Sequence, residues 1–237
     1  MGGESAVSDL DLLRMQVDAL FAHDAQGKLL RINEPDPTNP APRFFLGRSA
    51  VGNLWRTRAD LAADLAAELD RLAADEPVVR DLREPPRHAD KYLSLLEQDA
   101  PITDTNAGPA YWLPELDAAH KAVMITPENV SLLETHFGWL FADLADYAPV
   151  AAAVVDGAAV AICFCSRITA QVCEAGVYTE ANSRGHGYAT EAVGGWAAGI
   201  RARGKLPLYS TSWNNLASQA IARKLGAVQY GADFSIT

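Results

Sequence analysis

A short stretch in the last third of the chain combines two glycines with polar and cationic residues. Residues 182–187 read Asn-Ser-Arg-Gly-His-Gly, between a strand-like and a helix-like segment. Glycines let the backbone approach a ligand closely, and the first N–H groups of a helix have no partners within the helix. The helix dipole is also positive at this end. The stretch therefore predicts a site for an anion such as a phosphate group.

Two widespread phosphate-binding motifs do not match this stretch. A dinucleotide-binding fingerprint needs Gly or Ala three residues after its second glycine, where this chain has Thr190. It also needs an acidic residue about twenty residues later, and the chain has none there. A P-loop continues with Gly-Lys-Ser or Gly-Lys-Thr, whereas Gly187 is followed by Tyr188 and Ala189. The predicted anion site is therefore of another kind.

The stretch resembles the pyrophosphate loop of the Gcn5-related N-acetyltransferase (GNAT) superfamily, whose motif reads Arg/Gln-x-x-Gly-x-Gly/Ala. Residues 209–226 resemble the later strand, asparagine and helix of that family, and they end in Lys-Leu-Gly. The resemblance extends from about Gly108 to the C-terminus. It implies an α/β (α+β) fold with a mixed, splayed and strongly twisted sheet flanked by helices. Acyl-CoA would lie where the strands ending near Thr179 and Ser212 separate.

The same resemblance implies a reaction and a set of binding residues. The reaction is transfer of an acetyl (acyl) group from acetyl-CoA to a primary amine, by direct attack in a ternary complex. The backbone of Val177 and Thr179 would bind the pantetheine arm, and Asn215 and Ser218 would contact CoA from the other side. The residues assigned to the pyrophosphate loop are Asn182, Arg184, Gly185, His186, Gly187, Tyr188 and Ala189.

The residues for proton transfer are harder to assign. Glu174 lies on the strand before the loop, where the family often has a carboxylate, and burial would raise its pKa toward neutrality, as suits a general base. Alternatively, Glu174 is solvated or paired with Arg167. Many members place a tyrosine seven residues after the motif asparagine as the acid, but this chain has Ala222 there. The acid would then be Tyr209 or Tyr188, or the thiolate leaves unaided because a thiol pKa is about 8.5.

The missing tyrosine keeps a second class of function open. A non-catalytic acyl-CoA-binding regulatory module would retain the loop and lack the chemistry, so it would bind acetyl-CoA without transferring the acetyl group. A third alternative is a protein-interaction scaffold. Acetyl-CoA would then leave its melting temperature unchanged, since only a ligand that binds the native state stabilises it.

Composition excludes other classes of protein. The 237 residues include 20 Lys and Arg against 30 Asp and Glu, and the resulting net charge of −10 argues against nucleic-acid binding. No segment is long and apolar enough to predict a membrane span, and residues 1–6 carry no secretion signal, so a cytoplasmic location is expected.

Cysteines and histidines do not predict a metal site. Cys163, Cys165 and Cys173 are predicted to be buried free thiols, since their spacing matches neither a zinc site nor a disulfide framework. The remaining histidines are scattered without the spacing of metal ligands. They are His23, His88, His120 and His136.

The chain is expected to divide at a turn-rich break over residues 104–109. Residues 104–237 are predicted to form the acetyltransferase domain. Residues 1–103 are predicted to be a mostly helical region of unknown role, with a degenerate half of a duplicated fold as one interpretation. An exposed C-terminal strand would allow a homodimer.

The periodicity of apolar residues predicts the elements that position the motifs. Helices are expected over residues 8–23, 60–74, 90–98, 127–146, 188–203 and 216–225. Strands are expected over residues 28–32, 44–47, 151–155, 158–165, 170–179, 206–212 and 228–236.

Overall fold

The computed structural model describes residues 7–35, 38–115 and 121–237. Residues 1–6, on which the expected absence of a secretion signal rests, and His120 lie outside this part. The described helices are α1 Asp9–Leu20, α2 Ala63–Ala74, α3 Ala89–Asp99, α4 Glu134–Phe137, α5 Tyr188–Arg201 and α6 Leu216–Lys224. The described strands are β1 Phe21–His23, β2 Leu29–Ile32, β3 Phe44–Ser49, β4 Gly52–Thr57, β5 Thr105–Trp112, β6 Val123–Ile125, β7 Val150–Val155, β8 Ala158–Ile168, β9 Val172–Thr179, β10 Leu206–Ser210 and β11 Val228–Ile236.

The chain forms two compact units, each built from more than one stretch of sequence. Among the described residues, the first unit comprises 7–35, 38–110, 210–215 and 229–237, and the second comprises 111–115, 121–209 and 216–228. The last strand therefore belongs mainly to the N-terminal unit, although the chain reaches it after completing most of the second unit.

The first unit carries the three helices predicted for the N-terminal region. α1 begins after Ser8, whose side-chain oxygen accepts a hydrogen bond from the N–H of Asp11 at 3.2 Å. Phe44, Leu69 and Tyr92 lie in its buried core and join a strand to the other two helices. Four strands accompany these helices in the region before β5.

The prediction of an exposed C-terminal strand is wrong. Within the first unit the strand order is β4-β3-β11-β5, so β11 is an interior strand. It pairs antiparallel with β3 from Ala232–Arg48 to Ile236–Phe44. Because both edges of β11 are paired, it offers no edge for strand pairing across a dimer.

The predicted turn-rich break is also wrong, since Thr105–Trp112 forms strand β5. The segment 210–215 lies beside it: the N–H of Thr211 donates to the carbonyl of Pro109 at 3.3 Å, and the N–H of Trp213 donates to Ala107 at 3.0 Å. The glycine and proline in β5 led to the prediction of a turn. Glycine is also found in strands where two backbones approach each other closely, as they do here.

Gly108→Ala tests this close approach. A Cβ at residue 108 would lie 1.7 Å from the backbone oxygen of Thr211. Because backbone cannot move aside as a flexible side chain can, we expect the free energy of unfolding to fall by about 2 to 4 kcal/mol. Urea denaturation measures the change. Gly138→Ala is the control, since nothing lies within 4 Å of the corresponding Cβ, and equal stability of the two variants would contradict this packing.

The second unit contains a mixed sheet in the order β10-β9-β8-β7-β6. β9 is parallel to β10 and antiparallel to β8, and the pairs β8–β7 and β7–β6 are antiparallel. α5 packs on one face, where its fully buried Trp196 joins a core that also contains the three cysteines. Those cysteines are free and buried, as predicted.

The single helix predicted over residues 127–146 is wrong. The structure has a 3-10 turn at Val130–Leu133, then α4, then a second 3-10 turn at Gly138–Leu140. Gly138 stands at the junction, and glycine in a helix interior costs about 1 kcal/mol relative to alanine. Leu133, Phe137 and Leu140 keep the apolar spacing of a helix and are buried, so the pattern that favoured one helix is satisfied by three short turns.

Candidate functional site

The segment between β9 and α5 has the geometry that the sequence predicts for an anion-binding loop. A 3-10 turn at Ala181–Ser183 follows β9, and α5 begins directly after Gly187. Gly185 and Gly187 have φ of +82° and +88°, in the left-handed region that residues with a Cβ rarely adopt. The two glycines turn the chain so that the helix starts at the end of the loop.

Glu180 fixes the first part of this loop. Its carboxylate accepts hydrogen bonds from the N–H of Asn182 and the hydroxyl of Ser183, both at 2.9 Å. The bond from the N–H of Asn182 is the main cause that lowers the pKa of Glu180. From the sequence alone, no role is assigned to Glu180. The signal for such a cap is a carboxylate that precedes a backbone N–H by two residues and a serine by three, as Glu180 precedes Asn182 and Ser183.

The backbone N–H groups from Gly185 to Thr190 point to the chemistry of the loop. None of the hydrogen bonds in the described residues uses these six donors. No atom lies within 4 Å of the Cβ positions of Gly185 and Gly187, so the space above the loop is open. Unpaired N–H donors at a helix N-terminus are the arrangement that binds an anion.

The side chains of the loop are mostly on the surface. Asn182, Arg184 and His186 are exposed. The ring of His186 stacks on that of Tyr188, with centroids 5.6 Å apart and 18° between the planes. The Nδ1 atom of His186 lies 3.4 Å from the carbonyl oxygen of Ser183. The guanidinium of Arg184 therefore adds a positive charge to a loop whose donors come from the backbone.

β9 offers a partly unpaired edge next to the loop. Its parallel pairing with β10 runs from Val172–Leu206 to Glu174–Leu208, whereas the strand continues to Thr179. Val177 and Thr179 lie in this extension and pair with β8 on the other side. The sheet of the second unit thus opens between β9 and β10, as predicted, and the backbone of the extension can bind an extended ligand.

Asn215 and Ser218 lie in different surroundings. Asn215 belongs to the first unit, and its N–H donates to the carbonyl of Ser212 at 3.1 Å. Ser218 lies on α6 in the second unit, and its hydroxyl is 2.7 Å from the hydroxyl of Tyr209. The sequence did not predict the contact between Tyr209 and Ser218, two residues it assigned to separate roles.

The two candidates for proton transfer lie on opposite faces of the sheet. Cys173, Ala175 and Val177 pack in the core with α5, and Tyr209 lies in the same core. Because side chains alternate along a strand, Glu174 projects to the other face. Its exposed fraction is 3%, and Arg167 is its register partner on β8.

Burial determines the ionisation of Tyr209. Loss of solvent raises the pKa of Tyr209 to about 12, and the hydrogen bond to Ser218 opposes this change. The carboxylate of Glu174 contributes a smaller effect in the same direction. Tyr209 therefore stays protonated throughout the physiological pH range.

Neither a metal-ligand cluster nor a membrane-spanning helix is found in the part of the chain that the structure describes. In residues 7–35, 38–115 and 121–237, no three His, Cys, Asp or Glu side chains come together as metal ligands would. Among the helices of these same residues, none has the length and apolar character needed to cross a membrane.

Comparisons with known proteins place these features in a family. Solved structures that are similar to the chain include a protein of the GNAT family from Novosphingobium aromaticivorans DSM 12444, with 17% identity, coverage of 57% of this chain and 65% of that one, and a TM-score of 0.44. A GCN5-related N-acetyltransferase-like protein from Streptococcus suis 89/1591 has 13% identity over 94% of this chain and 98% of that one, with a TM-score of 0.46. A GCN5-related N-acetyltransferase from Sphaerobacter thermophilus has 14% identity over 85% and 77%, with a TM-score of 0.45.

The assignment depends on a family model rather than on these distant structures. No curated protein matches the chain. The model described as the acetyltransferase (GNAT) domain matches residues 80–228, which is more than half of the chain and includes the loop, α5 and α6. The match confirms the resemblance that the two sequence motifs indicated, and the chain therefore belongs to the GNAT acetyltransferase family.

Proposed function

We propose that this protein is an N-acetyltransferase that moves an acetyl group from acetyl-CoA to a primary amine by direct attack in a ternary complex. One observation carries the proposal: the backbone N–H groups from Gly185 to Thr190 donate no hydrogen bond within the described residues, and no atom lies within 4 Å of the Cβ positions of Gly185 and Gly187. A pyrophosphate needs such donors at a helix N-terminus. Membership of the GNAT family supports the same reading, because that family uses acetyl-CoA.

The residues of the second unit fit acetyl-CoA in two respects. The loop would hold the pyrophosphate through its backbone, with Arg184 as an additional positive charge. The extension of β9 at Val177 and Thr179 would hold the pantetheine arm through backbone hydrogen bonds, as an added strand would be held. When bound, acetyl-CoA supplies an acetyl carbonyl that is activated as a thioester.

Glu174 is the residue we propose as the general base. A primary amine is mostly an ammonium ion at neutral pH, so a base must accept a proton before or during attack. The amine nitrogen then forms a bond to the acetyl carbon, the bond from that carbon to sulfur breaks, and the thiolate takes up a proton as CoA leaves. Glu174 is a buried carboxylate on the strand that leads to the loop, which suits a base kept out of bulk water.

Tyr209 is better suited to a hydrogen-bonding role than to that of an acid. Burial raises the pKa of Tyr209 to about 12, whereas a thiol has a pKa of about 8.5. Transfer of the phenolic proton to the thiolate would therefore be unfavourable, because the pKa of the phenol is higher by about 3.5. We propose that Tyr209 remains neutral and holds Ser218, and that the thiolate is protonated by solvent.

Tyr209→Phe tests this assignment. We expect the acetylation rate at pH 7 to change less than threefold, since no proton transfer from Tyr209 is lost. Tyr209 has a pKa of 10.0 in the unfolded chain and of about 12 in the folded protein. The free energy of unfolding of the wild-type protein should therefore fall as the pH rises between these two values. The variant should lose less stability over this window, while Tyr92 and Tyr111, whose pKa values burial also raises, still contribute in both proteins. Rate and urea denaturation profiles measured from pH 7 to 11 check both results, and a large rate loss at pH 7 would restore Tyr209 as the acid.

One observation favours a second candidate function, a non-catalytic acyl-CoA-binding module. Ala222 occupies the position where many family members have a tyrosine that acts as the general acid. It is 1% exposed and lies in the core of the second unit. The site at that position therefore has no proton donor. Such a module would bind acetyl-CoA and release no CoA in the presence of any amine.

The test of the proposed reaction is an acceptor screen. Purified protein is incubated with acetyl-CoA and a panel of primary amines, free CoA is measured with a thiol reagent, and acetylated products are identified by mass spectrometry. We expect an amine-dependent release of CoA that matches an amine whose mass rises by one acetyl group. Release of CoA without an acetylated amine would indicate hydrolysis and contradict the proposal.

A further inference from the structure

Four aromatic rings to which the proposed chemistry assigns no role form a cluster in the second unit. The cluster consists of Trp139, Tyr147, Phe164 and Tyr178. Phe164 and Tyr178 are nearly parallel, with centroids 5.9 Å apart and 4° between the planes. Trp139 stands across both, 5.8 Å from Phe164 and 5.5 Å from Tyr178, at 76° and 71°. Tyr147 packs edge-on against Phe164 and Trp139.

Two rings of this cluster are half exposed. Trp139 is 50% exposed and Tyr178 is 55% exposed, whereas Phe164 beneath them is 4% exposed. The exposed pair meets at close to a right angle and is supported from below by packed rings. We call the exposed pair the aromatic corner. A rigid corner of two ring surfaces is a geometry that holds an organic cation through the π faces.

The aromatic corner lies on the same sheet face as Glu174. Tyr178 is four residues after Glu174 on β9, and side chains at even spacing along a strand share a face. Four residues of strand separate their Cα atoms by about 13 Å. A ligand whose amine reaches Glu174 could therefore place its distant end on the aromatic corner.

The charges near the corner favour a cation. Glu180 is two residues beyond Tyr178, and its N–H still donates to the carbonyl of Val160 on β8, so the chain remains extended there. The hydrogen bond from the N–H of Asn182 lowers the pKa of its carboxylate, which favours the ionised form. Between Trp139 and Tyr147 the chain carries Asp143 and Asp146, both exposed, and no lysine or arginine.

We propose that Trp139 and Tyr178 bind a second cationic group of the acceptor, so that the preferred substrates are amines that carry another positive charge at a distance. This inference deepens the proposed function and rests on it. An apolar body would be held by the area of the two rings alone, whereas a cation gains from both the π faces and the carboxylates. A diamine with a long spacer, or a basic peptide, has this chemistry.

The test compares two acceptors of equal length, the eight-carbon α,ω-diamine and the eight-carbon monoamine. We expect kcat/KM for the diamine to exceed that for the monoamine by about tenfold, since two ring faces and a carboxylate act on its second charge. Trp139→Leu and Tyr178→Leu keep apolar bulk and remove the π faces. The ratio should fall by about threefold in each variant and by about tenfold in the double variant.

Controls separate the possible causes. Phe141→Leu removes a neighbouring exposed ring that does not belong to the cluster, and it should leave the ratio unchanged. An equal loss for both acceptors in the Trp139 and Tyr178 variants would mean that the corner binds an apolar body, and it would overturn the proposal. An unchanged ratio in the double variant would also overturn it.

A binding measurement keeps the inference testable without turnover. Quenching of tryptophan fluorescence is followed as the diamine is added to the protein with acetyl-CoA present. We expect saturable quenching that is weakened in Trp139→Leu and retained in Phe141→Leu. Absence of saturable quenching in the wild-type protein would overturn this proposal, whereas failure of acetyl-CoA itself to bind would overturn the proposed function.

Discussion

Gly187→Val is expected to weaken acetyl-CoA binding by about a hundredfold, which corresponds to about 2.7 kcal/mol. Gly187 has φ of +88° and immediately precedes α5. A β-branched residue there is strained by roughly 1–2 kcal/mol and would shift the loop from its conformation. Its side chain would also add bulk to the loop that carries the unpaired N–H groups, at a position where no atom now lies within 4 Å of the Cβ. Titration calorimetry with acetyl-CoA measures the loss directly.

Gly204→Val is the matched control for this variant. Gly204 has φ of +71°, follows the C-terminal end of α5, and likewise has no atom within 4 Å of its Cβ position. The same backbone strain should therefore destabilise the protein by a similar amount without changing its affinity for acetyl-CoA. A folded Gly187→Val protein with wild-type affinity would contradict the assignment of the loop.

Glu174→Gln is expected to lower kcat at pH 7 by about a hundredfold, within the range that general bases contribute. The substitution keeps the shape of the side chain and removes its ability to accept a proton from the amine. Affinity for acetyl-CoA should be retained, because the loop and the edge of β9 that we assign to CoA are unchanged. The acidic limb of the pH–rate profile should disappear in the variant, since that limb reports protonation of the base.

Stopped-time assays over pH 6 to 9, with acetyl-CoA affinity measured in parallel, separate a catalytic role from a structural one. Glu134→Gln is the control, because Glu134 is an exposed carboxylate on α4 and should leave rate and profile unchanged. If Glu174→Gln retained the wild-type rate and its acidic limb, Glu174 would no longer be a candidate base.

The elements around the loop could be predicted because their patterns are local. The spacing of apolar residues on α5, the glycines before it and the Lys-Leu-Gly ending after α6 all depend on residues close in sequence. The burial of the cysteines could also be predicted, because free cysteine is usually buried and their spacing matches neither a zinc site nor a disulfide framework. These are the parts of the fold that carry the candidate site.

The errors concern elements whose conformation depends on distant residues. β5 contains Gly108 and Pro109, which usually interrupt strands, and it forms because the segment 210–215 pairs with it. β11 was expected to be exposed, but it is enclosed by β3 and β5 in the first unit. Pairing between residues more than a hundred positions apart leaves no periodic signal in either segment.

The site itself shows the same division between local and distant information. The positive φ of Gly185 and Gly187 follows from the motif, but the bond between Tyr209 and Ser218 joins β10 to α6 and could not be read from either alone. That bond and the burial of the phenol decide the protonation of Tyr209. Both residues could be named as candidates from the sequence, Tyr209 as the acid and Ser218 as a contact to CoA. Whether Tyr209 can act as the acid depends on its burial, which only the structure shows.

Titration calorimetry of the wild-type protein with acetyl-CoA is the most direct test of the central claim, that the start of α5 holds the pyrophosphate of CoA. We expect saturable binding with one site per chain, and much weaker binding of acetylated pantetheine, which lacks the pyrophosphate. No heat of binding with either ligand, or equal affinity for both, would contradict the claim.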